Sequence, residues 1–140
     1  MPLTYDIKEQ GLLLEVHGRG QVDFGQFRSL TEAMDGKLKV GYRMFMDLRS
    51  IDELDLSPGD IRKLVALQKK LPEVEQPAKT VSVTRSGHDY ALSRMFQLLA
   101  MDERLVTTDV DEAWAWLNAP AEAVEAVEAA EPAEPAPALE

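Results

Sequence analysis

Cysteine is absent from this 140-residue chain, which excludes disulfides and thiolate metal ligands. No apolar run approaches the roughly 20 residues that cross a bilayer as a helix. The opening residues M-P-L-T-Y-D-I-K lack the basic start and apolar stretch of a signal peptide. Neither G-x-G-x-x-G nor G-x-x-x-x-G-K-[ST] occurs, so the chain has no glycine cradle for nucleotide phosphates. There is no G-x-S-x-G elbow for a nucleophilic serine. The only histidines are His17 and His88. Together these absences are read as a soluble, cytoplasmic protein without nucleotide-hydrolysing or serine-hydrolase chemistry.

Charge is unevenly placed. The formal net charge is −10, and residues 119–140 hold six Glu with no Lys or Arg, leaving −4 for residues 1–118. Nucleic-acid binding needs a concentrated basic face. Here the basic residues are scattered, so no nucleic-acid partner is expected.

Regular structure is written clearly in the apolar spacing. Leu3 to Lys8 alternates, and Glu9-Gln10-Gly11 turns the chain into a second strand, Gly11–Val16, giving an antiparallel hairpin that Gly18 and Gly20 end. Asp23 caps a helix with Phe24, Phe27, Leu30, Met34 and Leu38 on one stripe. Met44-Phe45-Met46 reads as a central strand ending at Asp47, followed by a connector. Ser57-Pro58-Gly59-Asp60 then opens a second helix as a variant capping box, with Ile61, Leu64, Val65, Leu67 and Leu71 inward.

Lys79–Thr84 is the fourth strand, and Ser86-Gly87 the turn after it. His88–Met101 is a helix with Tyr90 or Ala91, Met95, Leu98 and Leu99 inward. Leu105–Thr107 is a last strand, and Asp109 caps a final helix to Asn118. The order ββαβαβαβα with short links predicts an α/β fold: a mixed five-stranded sheet with four helices, antiparallel in the N-terminal hairpin and otherwise parallel. The domain spans 1–118. Residues 119–140, rich in Ala, Glu and Pro, form an acidic tail, partly helical or disordered.

Several phrases resemble a known group: the strand ending M-D-L, D-E-L-D-L-S-P-G-D, and Y-A-L-S-R-M-F-Q-L-L in the third helix. With the hairpin and the helix near Asp23, they look like the bacterial SpoIIAA-like family of the STAS/Sec14-type fold. The resemblance covers about residues 1–118. It implies a fold and a regulatory, protein-interacting role. STAS-type anti-sigma-factor antagonists carry a phosphorylated serine in a D-S-S-G-like phrase. Aligned without gaps, that serine falls on Leu56, and Ser57 matches the second serine.

Candidate sites follow. Ser57 is a helix cap or a phosphoacceptor, since a helix N-terminus suits both. Asp52, Asp55, Leu56, Ser57, Pro58 and Gly59 make a candidate interaction surface. Asp47, Asp52, Glu53, Asp55 and Asp60 lack the spacing of a calcium loop and are read as an acidic rim with caps, so no metal and no other cofactor is expected. Arg85, His88, Tyr90 and Arg94 lie near the carboxyl end of the fourth strand, where open α/β sheets hold ligands, and are candidate anion contacts. Trp114 and Trp116 are two apart, so one of them should be exposed or cover a partner, the tail or a second subunit.

The leading expectation is a non-catalytic interaction or regulatory module that docks a protein partner. The alternative is a binder of a small apolar or lipid-like ligand, by analogy with Sec14-type domains. An enzyme ranks third. A ligand binder needs an apolar cavity of roughly 300–1,000 Å³, whereas a docking module needs a filled core and an exposed apolar patch.

Overall fold

The computed structural model describes residues 3–71, 76–85, 87–100 and 103–119. The expected tail, apart from Ala119, lies outside the described residues, as do Ser86 and Met101. Strand β1 (Leu3–Lys8) turns through a short 3-10 segment into β2 (Leu13–Asp23). Then follow α1 (Phe24–Ala33), β3 (Arg43–Asp55), α2 (Pro58–Lys70), β4 (Lys79–Val83), α3 (His88–Ala100), β5 (Arg104–Thr107) and α4 (Val110–Asn118). The strands lie in sequence order. β1 pairs antiparallel with β2, and every later neighbour is parallel. Among the described residues no helix is long and apolar enough to cross a membrane.

The sheet has two unequal faces. Leu14, Val16, Leu48, Ile51 and Leu54 point to the side that α1, α2 and α3 cover. Phe45, Val81 and Val83 point to the other side, where α4 packs with Ala113 and Leu117. Phe45 and Trp114 stack there with ring centroids 4.0 Å apart, in parallel contact that adds to the burial of both rings. Trp116 packs in the same cluster, with the Lys79 ammonium 5.0 Å from its ring centre. Both tryptophans are therefore half-buried within the chain. The Lys79 ammonium lies over the second ring, so neither tryptophan is fully exposed, whereas their spacing suggested that one is exposed or covers a partner, the tail or a second subunit.

The largest difference from the expected layout is in the middle of the chain. β2 does not end at the glycines but runs on to Asp23, and β3 does not end at Asp47 but runs on to Asp55. In their parallel ladder His17 faces Asp47, Arg19 faces Ser50, Gly20 faces Ile51 and Gln21 faces Glu53. At two points β3 advances one residue more than β2, so β3 carries two bulges. Each bulge resets the alternation, which brings Leu48, Ile51 and Leu54, three apart, onto one buried face. Such spacing resembles neither an ordinary strand nor a loop. His17 lies on β2, the second strand of the sheet, opposite Asp47.

Gly18 belongs to this device: a Cβ placed there would come within 2.8 Å of Ile51 Cδ1 and 3.2 Å of Leu3 Cδ2.

Two helix expectations also need correction. α1 stops at Ala33; Gly36, at φ 76°, turns the chain, and Leu38 reaches the core from the turn rather than from the helix. In α3 the buried residues are Asp89, Leu92 and Ala100, while Leu98 is 68% exposed and Leu99 is also exposed. The inward face follows Leu92, Met95 and Phe96, a stripe turned from the one expected. The helix starts agree with the sequence. Asp23 with Gln26, and Ser57 with Asp60, each form a reciprocal capping box.

Gly18→Ala should cost about 1–3 kcal/mol by crowding the bulge. Ile51→Val removes the crowding methyl and by itself should cost about 0.5–1.5 kcal/mol. Denaturant unfolding should show the double variant losing less than the sum of the two. Strict additivity would mean that Ile51 does not sit over Gly18.

Candidate functional site

The helix layer does not fill the space above the sheet. A cavity of about 730 Å³ lies between them. The sheet contributes Leu14, Met44 and Met46; α1 contributes Phe27 and Leu30, with Met34 at its C-cap; α2 contributes Ile61, Leu64 and Leu67; α3 contributes Leu92 and Phe96. α1 has no fully buried residue, so its apolar stripe faces this space instead of closing on the sheet. The exposed Glu32, Asp35, Val40 and Lys70 also border the cavity and mark where it reaches solvent. One end of the wall is polar, with Gln68, Ser82 and Arg104.

A second concavity is a polar cleft at the carboxyl ends of the parallel strands. It is bounded by Asp52, Glu53, Leu54, Asp55, Leu56, Arg85, His88 and Asp89. The structure thus joins two sets of candidate residues that lie thirty positions apart in sequence. Asp52 and Asp55 are exposed on the extended β3, and Leu56 is buried against the core. Arg85 donates to the buried Asp89 carboxylate at 3.2 Å. Tyr90 and Arg94 do not join this group. Arg94 donates to Gln97 Oε1 at 2.7 Å, toward the far end of α3.

Ser57 is engaged as a cap. Its Oγ accepts from the Asp60 N–H at 3.0 Å, and the Asp60 carboxylate accepts from the Ser57 N–H at 3.0 Å. Pro58 occupies the first helical turn, where a missing N–H costs nothing. Among the described residues no hydrogen bond joins Ser57, His88 and Asp89, and no three His, Asp or Glu side chains converge as a metal site requires.

What the sequence reading missed is the cavity and its polar end. One signal was present in T-V-S-V-T, residues 80–84, a strand buried on both faces that carries only hydroxyls on one of them. The volume left over was not legible, because it depends on how far α1 stands off the sheet.

Beyond the part that α4 covers, the face of β1–β3 on that side of the sheet carries polar residues. Lys8 pairs with Glu15 at 3.1 Å, and His17 lies 3.6 Å from the same carboxylate. Beside them Asp47 accepts from the Arg49 guanidinium at 2.9 and 2.8 Å and from the Arg49 N–H at 3.1 Å. The Arg49 side-chain bonds hold the Asp47 carboxyl below its ordinary range, more than its partial burial raises it. A carboxyl depressed in the folded state contributes stability above its unfolded value, and that contribution is lost as pH falls through the folded value. Asp47→Asn should therefore lower Tm at neutral pH, and the gap from wild type should close in acid. A gap that persists unchanged into acid would contradict the pairing.

No family model matches the chain, and no curated protein does. Solved structures do. An uncharacterised protein of the DUF3478 family from Shewanella loihica PV-4, with a SpoIIAA-like fold, superposes with a TM-score of 0.53 at 15% identity, over 82% of this chain and 91% of that one. An anti-sigma factor antagonist from Mycobacterium paratuberculosis gives a TM-score of 0.53 at 16% identity, over 84% and 95%. With the strand order, the antiparallel hairpin and the four helices already described, these matches establish that the chain has the SpoIIAA-like α/β fold.

Proposed function

We propose that the protein is a non-catalytic binding module that takes an apolar ligand in the cavity between its helix layer and its sheet. The cavity carries this reading. Its volume lies within the 300–1,000 Å³ typical of small-molecule sites, its wall is mostly Leu, Met and Phe, and it reaches solvent beside α1. A core left unfilled to this extent forfeits dispersion contacts along its whole lining, a loss that a bound apolar molecule would offset. Methionines at Met34, Met44 and Met46 suit an adaptable wall. The reading is non-catalytic because Ser57 serves as a cap and Asp89 serves Arg85.

A second reading, docking of a protein partner in a regulatory role, is supported by a different observation. The cleft at the strand ends gathers Asp52, Asp55, Arg85 and His88 in one place, and one structural neighbour is an anti-sigma factor antagonist. Ser57 stands on the segment just beyond this cleft, where phosphate would add charge to the surface a partner meets. The two readings are compatible: a ligand beneath α1 and α2 would bear on the start of α2, whose cap lies beside the cleft.

Full-length protein should bind the neutral dye Nile red with a blue-shifted emission, and native mass spectrometry should find retained apolar molecules. Leu67→Trp fills the wall at a half-buried position. It should weaken dye binding by about tenfold or more, with Tm changed by only a few degrees. Equal dye binding by this folded variant would contradict the cavity as the site.

A further inference from the structure

Neither reading uses the buried cation at the polar end of the cavity. Arg104 opens β5 and is only 8% exposed. Its guanidinium lies 4.4 Å from the centre of the Phe96 ring and donates to Gln68 Oε1 at 3.2 Å, and all three residues line the cavity. Its neighbour across the β4–β5 ladder is Thr80. Thr80 is fully buried, and its Oγ1 has no hydrogen-bond partner among the described residues. Thr80 and Ser82 share one face of β4, and Ser82 lines the cavity. The guanidinium thus lines the apolar space, and the unpartnered hydroxyl belongs to its neighbour on the sheet, just behind that lining.

We propose that the ligand is a single-chain amphiphile with a carboxylate head, its chain along the Leu and Met wall and its head at Arg104 and Thr80. This rests on the cavity being a ligand site, and names what that site takes. The planar guanidinium matches the two oxygens of a carboxylate, and five donors let one Arg serve several partners at once. Shelter from water strengthens the attraction. A buried hydroxyl without a partner costs free energy, and a carboxylate oxygen beside Thr80 would accept its proton. Phe96, stacked on Arg104, and the amide of Gln68 hold the guanidinium in place for this contact.

The test is displacement of Nile red from full-length, delipidated protein by dodecanoate, dodecanol and dodecyl phosphate at neutral pH. Dodecanoate should act at about tenfold lower concentration than dodecanol, and at lower concentration than the phosphate. That advantage should vanish in Arg104→Met, survive in part in Arg104→Lys, and shrink in Thr80→Val. If Arg104→Met does not fold, the wild-type comparison and Thr80→Val decide the matter. Equal potency of acid and alcohol, or preference for the phosphate, overturns the carboxylate assignment and leaves the cavity reading standing. Dye binding that no amphiphile displaces overturns the amphiphile assignment. Absence of dye binding overturns the cavity reading itself.

Discussion

The parallel ladder between β2 and β3 sets the rest of the structure. Its two bulges let both strands run past the end of β4, and they finish opposite each other, Asp23 beside Asp55. Asp23 caps α1 directly, and Ser57, two residues beyond Asp55, caps α2. Two helices are thereby launched side by side from the same end of the sheet. Their starting points are set by backbone hydrogen bonds rather than by how closely their apolar faces fit. The space between those helices and the sheet is a consequence of that placement, and it persists because the anchors at the strand ends hold wherever the side chains settle.

Much of the architecture was legible because its signals are local. The caps at Asp23 and Ser57, the alternation in Leu3–Lys8 and the apolar Met44–Met46 each act within a few residues, and each element forms where those signals place it. The bulged half of β3 was not legible in the same way. Arg49, Asp52, Glu53 and Asp55 read as a connector, yet they are the solvent side of a strand whose buried residues fall three apart. Only the partner strand, with Gly18 making room for Ile51, explains that spacing. Leu98 and Leu99 mislead for the opposite reason: α3 is set by Leu92, Met95 and Phe96 against α2 and the sheet, and two large side chains are left outside.

The candidate site shows the same division. Arg85 and His88 were marked from sequence by their place at a strand end, Asp52 and Asp55 as part of a candidate interaction loop, and the fold brings the four to one cleft. Ser57 was read as a cap or a phosphoacceptor, and its geometry is that of a cap. The cavity belongs to no motif. It arises from α1 standing off the sheet and from a central strand that turns hydroxyls, rather than methyls, toward the helices. Buried polar groups on an apolar wall lower stability unless something completes them. Their position beside Arg104 links a cost in folding to a capacity for recognition.

The central claim is that the space under α1 and α2 admits an apolar molecule while the α4 side of the sheet is a packed core. Methyl-resolved NMR during titration with a small apolar probe measures this directly. The account predicts that the methyl signals of Met34, Met44 and Met46 move together and saturably, while those of Val81 and Val83 on the opposite face stay in place. Unmoved methionine signals, or equal movement on both faces, would contradict it.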